Sequence, residues 1–268
     1  MTATPRTLFV SPLGNDRWSG RQPDANAAQT DGPLATLGEA RDRLHATRRR
    51  SRAVVAMRGG VYPLAERLRF AAADGGRKGA PVVYRAYRRE TPVLDAGRAI
   101  TGWDRVADDP AAVAPAARGK LWVAAIPKGW VFHQLYVNGC EQPRSASVTD
   151  DDWERWPRAP LGKREDELRC PAGALPATDR ADCAVLNFLP TPYTFWSNAL
   201  APVRRVQADQ GRLRFAPVQL HRPEVLKEIP FRLENLLSGI AAPGQWFVDH
   251  RRGRVYLWPP HDQDPNDA

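Results

Sequence analysis

The sequence predicts a mainly β fold in which short parallel strands come first and antiparallel strand pairs follow. Between residues 54 and 95, short apolar runs are broken by glycines and irregular turns. These runs lack hairpin turns, and strands that are not joined by tight hairpins tend to be parallel, as in the stacked coils of a solenoid. After about residue 100 the apolar runs come in pairs around short turns. Antiparallel pairs at this density predict a sandwich or a small barrel.

The composition is that of a globular protein. The chain has 268 residues, of which 43% are hydrophobic and 26% are charged, and this excludes wholesale disorder. No apolar run approaches the roughly 18 residues of a membrane-spanning helix, so no membrane partner is expected. The first ten residues contain one arginine and no apolar stretch of signal-peptide length. The chain as written is therefore expected to carry no export signal.

The net charge of +9 comes from arginine, since the sequence has 34 arginines and only five lysines. Abundant arginine and alanine are typical of GC-rich coding. The densest cluster, at residues 48–52, fits the solvated end of a helix, where cations suit the C-terminal dipole. Nucleic acid is therefore not expected as a partner.

The first hundred residues are predicted to hold one amphipathic helix. Thr36 and Glu39 match a capping box, in which the hydroxyl and the carboxylate satisfy free backbone N–H groups at the helix start. Leu37, Ala40 and Leu44 follow with helical spacing, and the helix is expected to end near Arg50. Strands are predicted at residues 8–11, 54–57, 61–64, 68–70, 81–87 and 92–95.

The rest of the chain is predicted to contain hairpins. Residues 132–137 run into Asn138-Gly139, the strongest short hairpin signal, because both residues tolerate positive φ. Two further hairpins are predicted to pair residues 203–208 with 212–215 and residues 246–249 with 254–258. We expect a loop at residues 106–118, a long surface excursion at 150–182 and a loose polar tail at 261–268.

Several segments, in this order, resemble the opening of bacterial right-handed parallel β-helix proteins of the pectate-lyase-like superfamily. Above all they resemble β-helix glycoside hydrolases that carry an inserted β-sandwich. The segments are FVSPLGND at 9–16, GPLATL at 32–37, RGGVY at 58–62, VVYRA at 82–86, ETPVL at 90–94, LYVNG at 135–139, RSA at 144–146, ENLL at 234–237, PGQWFVD at 243–249 and VYLWP at 255–259.

The resemblance implies three regions. Residues 1–100 would form the first coils of a right-handed parallel β-helix, with the predicted helix capping the exposed end of the stack. Residues 101–260 would form an antiparallel β-sandwich-like insert that returns toward the β-helix, and residues 261–268 a polar tail. The similar enzymes continue for several hundred residues beyond the segment that matches 255–259, and that continuation forms most of their coils.

The resemblance also implies a carbohydrate-active protein with a polysaccharide or oligosaccharide partner. In the similar enzymes the catalytic carboxylates lie on the later coils, so we assign no catalytic residue and expect this chain alone to have little or no hydrolase activity. Two alternatives are a non-catalytic glycan-binding module and a structural piece that joins a second polypeptide carrying the remaining coils. The similar enzymes are typically exported, and the compartment of this chain stays open.

The acidic residues of the sequence do not form a catalytic pair of the kind that glycoside hydrolysis requires. Asp95 and Asp249 fit turn positions, and Glu234 fits either a strand end or an ion pair with Arg232. The acidic run at residues 150–152 fits a solvated loop better than a cation site.

No cofactor or metal is expected, because the sequence lacks nucleotide-binding loops and zinc-ligand spacings. Cys140, Cys170 and Cys183 fit inert thiols, and Cys170 and Cys183 are an alternative disulfide pair in an exported protein.

Aromatic residues supply the candidate substrate contacts. Sugars present apolar C–H faces that stack on indole rings, and the chain has nine tryptophans. Trp153, Trp156 and Trp196 lie in polar surroundings and are either saccharide contacts or packing residues. Arg144, after the Asn-Gly turn, either binds a sugar hydroxyl or carboxylate or caps a loop. The tryptophans in or beside predicted strands, Trp103, Trp122, Trp246 and Trp258, are expected in the core.

Overall fold

A computed structural model describes residues 6–46, 52–148, 157–160, 166–172, 174–176, 181–188, 199–218 and 228–267. The chain divides into two units, residues 1–99 and 100–268. Strands dominate both units, and the described residues include one α-helix and several single-turn 3₁₀ helices. The predicted mainly β class is therefore confirmed.

The first unit contains two sheets whose strands pair in parallel, except that one two-residue strand pairs antiparallel with its neighbour. Its elements are β1 (Arg6–Val10), α1 (Leu37–His45), β2 (Ala53–Met57), β3 (Gly60–Pro63), β4 (Gly76–Arg77), β5 (Ala80–Ala86) and β6 (Pro92–Asp95). Strand β2 pairs in parallel with β1 and β5, and β3 pairs in parallel with β6. Ala53 lies opposite Val82 and Gly60 opposite Pro92, so the strands of these two pairs are about 30 residues apart in the chain, whereas β1 and β2 are further apart, with Arg6 opposite Ala53. The predicted parallel pairing is confirmed.

Helix α1 begins where the sequence predicts. The Thr36 hydroxyl accepts the Glu39 N–H at 3.1 Å, and Leu37, Ala40 and Leu44 are buried in one apolar cluster with β1 and β2. The capping box is only half formed, because the Glu39 carboxylate pairs with Arg43 at 2.6 Å and the Thr36 N–H donates to Asp16.

Two predicted boundaries in this unit are wrong. The helix ends at His45 rather than near residue 50, and Ala46 forms its C-cap. Residues 68–70 do not form a strand, because Leu68 packs as a half-buried side chain on the apolar cluster while Phe70 stays exposed against Tyr84. A short apolar run alone does not distinguish a strand from a covering loop.

The second unit contains antiparallel sheets. Its strands are β7 (Asp104–Arg105), β8 (Trp122–Ala125), β9 (Leu135–Val137), β10 (Cys140–Gln142), β11 (Arg158–Ala159), β12 (Glu167–Arg169), β13 (Val185–Phe188), β14 (Ala199–Gln207), β15 (Arg212–Phe215), β16 (Ile229–Glu234), β17 (Trp246–Asp249) and β18 (Arg254–Leu257). One sheet has the order β11-β16-β13-β14-β15-β12, a second has the order β17-β18-β8-β7, and β9 pairs with β10.

The three predicted hairpins are confirmed. Asn138 and Gly139 have φ values of 51° and 76° between β9 and β10, as a two-residue turn with left-handed residues requires. Strand β14 pairs with β15 and β17 pairs with β18. The loop predicted at residues 106–118 contains a single 3₁₀ turn.

The two larger sheets bury separate apolar clusters. The six-stranded sheet packs Leu186, Phe188 and Leu233 into one cluster of its own. In the four-stranded sheet, alternate residues enter two further clusters, so Trp246 and Phe247 point to opposite faces. The described side chains of these two sheets therefore do not share one core, as those of a simple sandwich would.

Two loop predictions need correction. The region at 150–182 is more than a surface excursion, because β11 and β12 complete the six-stranded sheet and Leu168 is fully buried. The tail is not loose, because the Asn266 side chain accepts the Trp103 N–H at 3.0 Å and donates to the Trp103 carbonyl at 2.9 Å. The acidic run at residues 150–152 lies outside the described residues, as do residues 47–51.

Gly211 is expected to be the least replaceable turn residue of the second unit. It has φ +60° and a Cβ there would lie 1.9 Å from the Cys170 carbonyl oxygen. We expect Gly211→Ala to cost more than about 3 kcal/mol of unfolding free energy, because a left-handed backbone and a steric clash add. Gly119→Ala is the control, since Gly119 has φ +71° but open space, and should cost about 1–2 kcal/mol. Equal losses in urea unfolding would contradict the steric argument.

Candidate functional site

Arg144 is the one predicted substrate contact within the described residues. Trp153, Trp156 and Trp196 lie outside them. Of the tryptophans expected in the core, Trp103, Trp246 and Trp258 are buried and Trp122 is half-buried.

The backbone around Arg144 connects the two larger antiparallel sheets. Residue 144 forms a parallel bridge to Trp246, and the next N–H, that of Ser145, donates to the Trp246 carbonyl at 3.0 Å. On the other side the Ser145 carbonyl accepts the Asn235 N–H at 2.7 Å, and Ala146 bridges to Glu234. Arg144 is thereby held between the start of β17 and the end of β16.

An aromatic stack supports the Arg144 side chain. Its guanidinium carbon lies 5.4 Å from the centroid of the Trp246 ring. The Trp246 indole is fully buried and its N–H donates to the Gln142 carbonyl at 3.0 Å. Phe132 stacks on Trp246 with centroids 5.3 Å apart, and Trp130 lies 4.8 Å from Phe132. Since Phe132 and Trp130 are half-buried, the stack presents apolar ring surface to solvent next to a cation.

His133 is the hydrogen-bond partner of Arg144. Nη1 of Arg144 lies 2.9 Å from Nδ1 of His133. A guanidinium can only donate, so Nδ1 accepts and the imidazole proton resides on Nε2. Burial lowers the pKa of His133, the Arg144 guanidinium lowers it further, and the Glu234 carboxylate opposes both. The ring is therefore neutral near pH 7 and offers one N–H donor.

Behind this pair lies a buried polar group on the six-stranded sheet. Glu234 Oε1 accepts the Asn187 amide at 2.7 Å and the Arg232 Nε–H at 2.9 Å. These three side chains share one face of the sheet, because Asn187 lies opposite Arg232 and Glu234 is two residues after Arg232 on the same strand. The residues next to them in each strand point to the other face, into the apolar cluster. Glu234 is thus the ion-pair partner of Arg232, one of the two predicted roles.

Two buried polar atoms of this group lack a hydrogen-bond partner among the described residues. They are Nε of Arg144 and Oδ1 of Asn187. A buried donor or acceptor left without a partner costs about 1–3 kcal/mol. With a guanidinium, a neutral imidazole donor and exposed ring surface, the arrangement suits a ligand that combines oxygens with apolar C–H groups.

Apart from Glu234, the buried carboxylates that the structure describes are engaged elsewhere. Glu167 accepts from Arg212 at 2.7 Å, and this bond lowers the pKa of Glu167. The Ala71 N–H lowers the pKa of Asp74, with a further contribution from His45. Asp249 accepts the Arg252 N–H at 2.9 Å and so sets the β17–β18 turn, as predicted. Lowered pKa values are opposite to what a general acid requires.

Asp95 also occupies its predicted turn position. Its carboxylate accepts the Gly97 N–H at 2.7 Å, and the residue is exposed. The cysteines are free thiols, with Cys140 exposed and Cys183 buried, and burial raises the pKa of Cys170 to about 11.

No cluster of three or more metal-ligating side chains occurs in the described ranges. None of the helices in the same ranges is long and apolar enough to cross a bilayer.

His133 is the residue that sequence reasoning missed, although the hairpin contains the signal for it. Leu135 lies opposite Gln142 across the Asn-Gly turn. In an antiparallel pair, each step backward on one strand is matched by one step forward on the other. Extending the register by two residues therefore places His133 opposite Arg144. Asn187 and Arg232 carry no such signal, since their strands are separated by more than forty residues.

Comparison with known proteins gives a match in structure. No protein-family model matches the sequence, and no curated protein matches it. A solved structure described as a glycoside hydrolase is similar, with 25% sequence identity and a TM-score of 0.68. The match covers 98% of this chain and 45% of that chain. The chain therefore has a glycoside hydrolase-like fold and spans just under half the length of the enzyme it matches.

The His133–Arg144 contact predicts a pH-sensitive local stability. The folded protein lowers the pKa of His133 and so favours the neutral imidazole. This contribution to the unfolding free energy is fully present above the ordinary pKa of about 6.5 and is lost as pH falls through the lowered pKa. We expect His133→Asn, which keeps an acceptor near Nδ1, to reduce this acid-side loss of melting temperature. We also expect Arg144→Met to raise the pKa of His133 in an NMR titration. A pKa of His133 that is insensitive to Arg144→Met would contradict the contact.

Proposed function

We propose that this protein is a carbohydrate-active, glycoside hydrolase-like protein that binds a polysaccharide or oligosaccharide through the face around Arg144. Residues 1–100 form the opening coils of a right-handed parallel β-helix of the pectate-lyase-like kind, with α1 as the cap. Hydrolysis depends on carboxylates carried by further coils. The similarity to a glycoside hydrolase over 98% of the chain is the observation that carries this proposal.

The pairing of the first unit supports the coil assignment. The strands of the two sheets alternate along the chain, since β3 follows β2 and β6 follows β5, and the spacing within the pairs β2–β5 and β3–β6 is about 30 residues. Helix α1 packs against β1, which is an edge strand, as a cap does. At the other edge, residues 82–86 of β5 have no further strand partner among the described residues.

The chemistry of the Arg144 face supports a saccharide ligand. Sugar rings need a flat apolar surface together with donors that reach hydroxyl oxygens. Phe132 and Trp130 supply the apolar surface, and Arg144 and the Nε2–H of His133 supply the hydrogen-bond donors. Trp153, Trp156 and Trp196 are proposed to extend this contact.

A second candidate function is assembly with another polypeptide that carries the remaining coils. Strand β6 favours it, because Val93 and Leu94 are 47% and 49% exposed and its outer edge has no strand partner in the described part of the chain. An apolar strand with a free edge is a template for pairing with another strand.

We expect the isolated chain to release no sugar above background from xylan, pectin or fucosylated oligosaccharides. The buried carboxylates among the described residues are held by cations or backbone donors, so none of these is poised as a general acid. Reducing-sugar release and chromatography of the products measure this. Adding the product of the adjacent reading frame to the same assay tests assembly, which predicts a stable complex and restored release. Release of sugar by the chain alone would contradict the proposal that hydrolysis depends on carboxylates of further coils.

We expect Arg144→Met to weaken glycan binding at least about tenfold, which corresponds to roughly 1.4 kcal/mol. Methionine preserves packing on Trp246 while removing the charge and the hydrogen bond to His133. Lys120→Met is the matched control, because Lys120 also lies over a tryptophan ring, that of Trp258, at 4.3 Å, and Trp258 belongs to the apolar cluster on the opposite side of the sheet from Trp246. A glycan array selects the ligand and calorimetry gives the affinity. Equal affinities for both variants would place binding elsewhere.

A further inference from the structure

A groove of about 510 Å³ lies in the first unit, far along the chain from Arg144. It is formed by the irregular loop that follows β1 and by the turn between β2 and β3. Its lining includes Trp18, Leu13, Asp24, Gln29 and Arg58. The volume falls within the roughly 300–1,000 Å³ that is typical of small-molecule sites.

The loop that forms one wall is cross-linked by side-chain hydrogen bonds although it has no regular secondary structure. The Asp31 carboxylate accepts the Ser19 N–H at 2.7 Å, the Ser19 hydroxyl at 2.8 Å and the Gly32 N–H at 2.8 Å. The Asn26 side chain accepts the Thr30 N–H at 2.8 Å. Asp16 accepts the N–H groups of residues 35 and 36 at the start of α1. Such cross-links preorganise a binding loop.

Trp18 is fixed within this wall. Its backbone carbonyl accepts a hydrogen bond from the Arg43 guanidinium on α1, and its backbone N–H donates to the Asn15 carbonyl at 2.9 Å. The ring edge rests on Gly32, where a Cβ would lie only 2.8 Å from Cε3 of the indole. The side chain is nevertheless only half-buried, and the rest of it lines the groove.

The polar groups of the groove are also held in place. Arg58 donates through Nε to both oxygens of Glu90, at 3.0 and 2.9 Å, and through Nη1 to Asp24 and to the Pro23 carbonyl. The Asp24 side chain is still 74% exposed, so its second oxygen can accept from a ligand. The Arg58 guanidinium is thus balanced by two carboxylates and offers no uncompensated positive charge to an anionic ligand.

We propose that this groove is a second saccharide site with a preference for neutral sugars. Trp18 contacts the apolar face of the ring, and Asp24 and Gln29 bind hydroxyl groups. The inference rests on the proposed function only in that the ligand is a carbohydrate. The Arg144 face has the opposite charge balance, with two guanidinium groups around one carboxylate, so the two sites are expected to differ in their ligands.

The test is an NMR titration of the ¹⁵N-labelled wild-type chain. Neutral xylo-, cello- and manno-oligosaccharides are compared with oligogalacturonate, and Trp18→Phe assigns the indole N–H signal. We expect a neutral oligosaccharide to shift the Trp18 signal while oligogalacturonate does not. Asp24→Asn should lower the affinity for the neutral oligosaccharide about tenfold. Asp95→Asn, which removes an exposed carboxylate of the same unit outside the groove, should leave the affinity unchanged.

Two results would overturn the proposal. One is an unmoved Trp18 signal at saturating neutral saccharide. The other is saccharide binding that is abolished by Arg144→Met and unaffected by Asp24→Asn, which would refute the groove alone. Absence of all saccharide binding by the wild-type chain would refute both the groove and the proposed function, so the two failures are distinguishable. The wild-type titration does not depend on whether any substituted chain folds.

Discussion

The hydrogen bonds of residues 144–147 are the constraint on which the second unit depends. This short segment pairs with the start of β17 on one side and with the end of β16 on the other. Asn235, which is buried and has φ +59°, strengthens the junction by accepting the Val248 N–H and donating to the carbonyls of Val248 and Cys183. Each bond satisfies a backbone group that would otherwise be buried without a partner, which is costly.

This junction also decides where the candidate site lies. Glu234 ends one sheet and Trp246 begins the other, and the segment between them carries Arg144. The orientation of the Arg144 guanidinium is set by the Trp246 indole beneath it and by the hydrogen bond to His133, with the Glu234 charge nearby. Two buried atoms of this group, Nε of Arg144 and Oδ1 of Asn187, have no hydrogen-bond partner among the described residues. Buried polar atoms without a partner destabilise the fold, and proteins tolerate this cost at functional sites.

The first unit obeys a different constraint. Apart from the short β4, its strands pair in parallel, so each partner strand must be reached by a crossover rather than a hairpin, and these connections include long loops. The loop after β1 is the longest of these, and its side-chain hydrogen bonds replace the ladder bonds that a strand would make. Rigid loops on a sheet scaffold are where binding residues concentrate.

The local elements were largely predictable from the sequence. The helix start at Thr36, the turn at Asn138-Gly139 and the parallel pairing of the first strands follow from capping, backbone φ and the lack of hairpins. The helix start and the turn depend on neighbours within a few residues, where residue type and backbone preference act directly, whereas the parallel pairing was inferred from the lack of hairpin turns between the strands. The hairpin register even contained the His133–Arg144 pair, because a turn determines which residues lie opposite one another.

The composition of the site was decided only by the tertiary structure. Asn187, Arg232 and Glu234 meet because β13 and β16 pair across more than forty residues, and no local pattern encodes that register. Likewise, β11 and β12 enter the six-stranded sheet from a region whose prolines and charges are typical of a loop. Residue types and turn preferences determined the local elements and the mainly β class. Long-range strand pairing, which depends on burying apolar side chains that are distant in the chain, decided which side chains form the site.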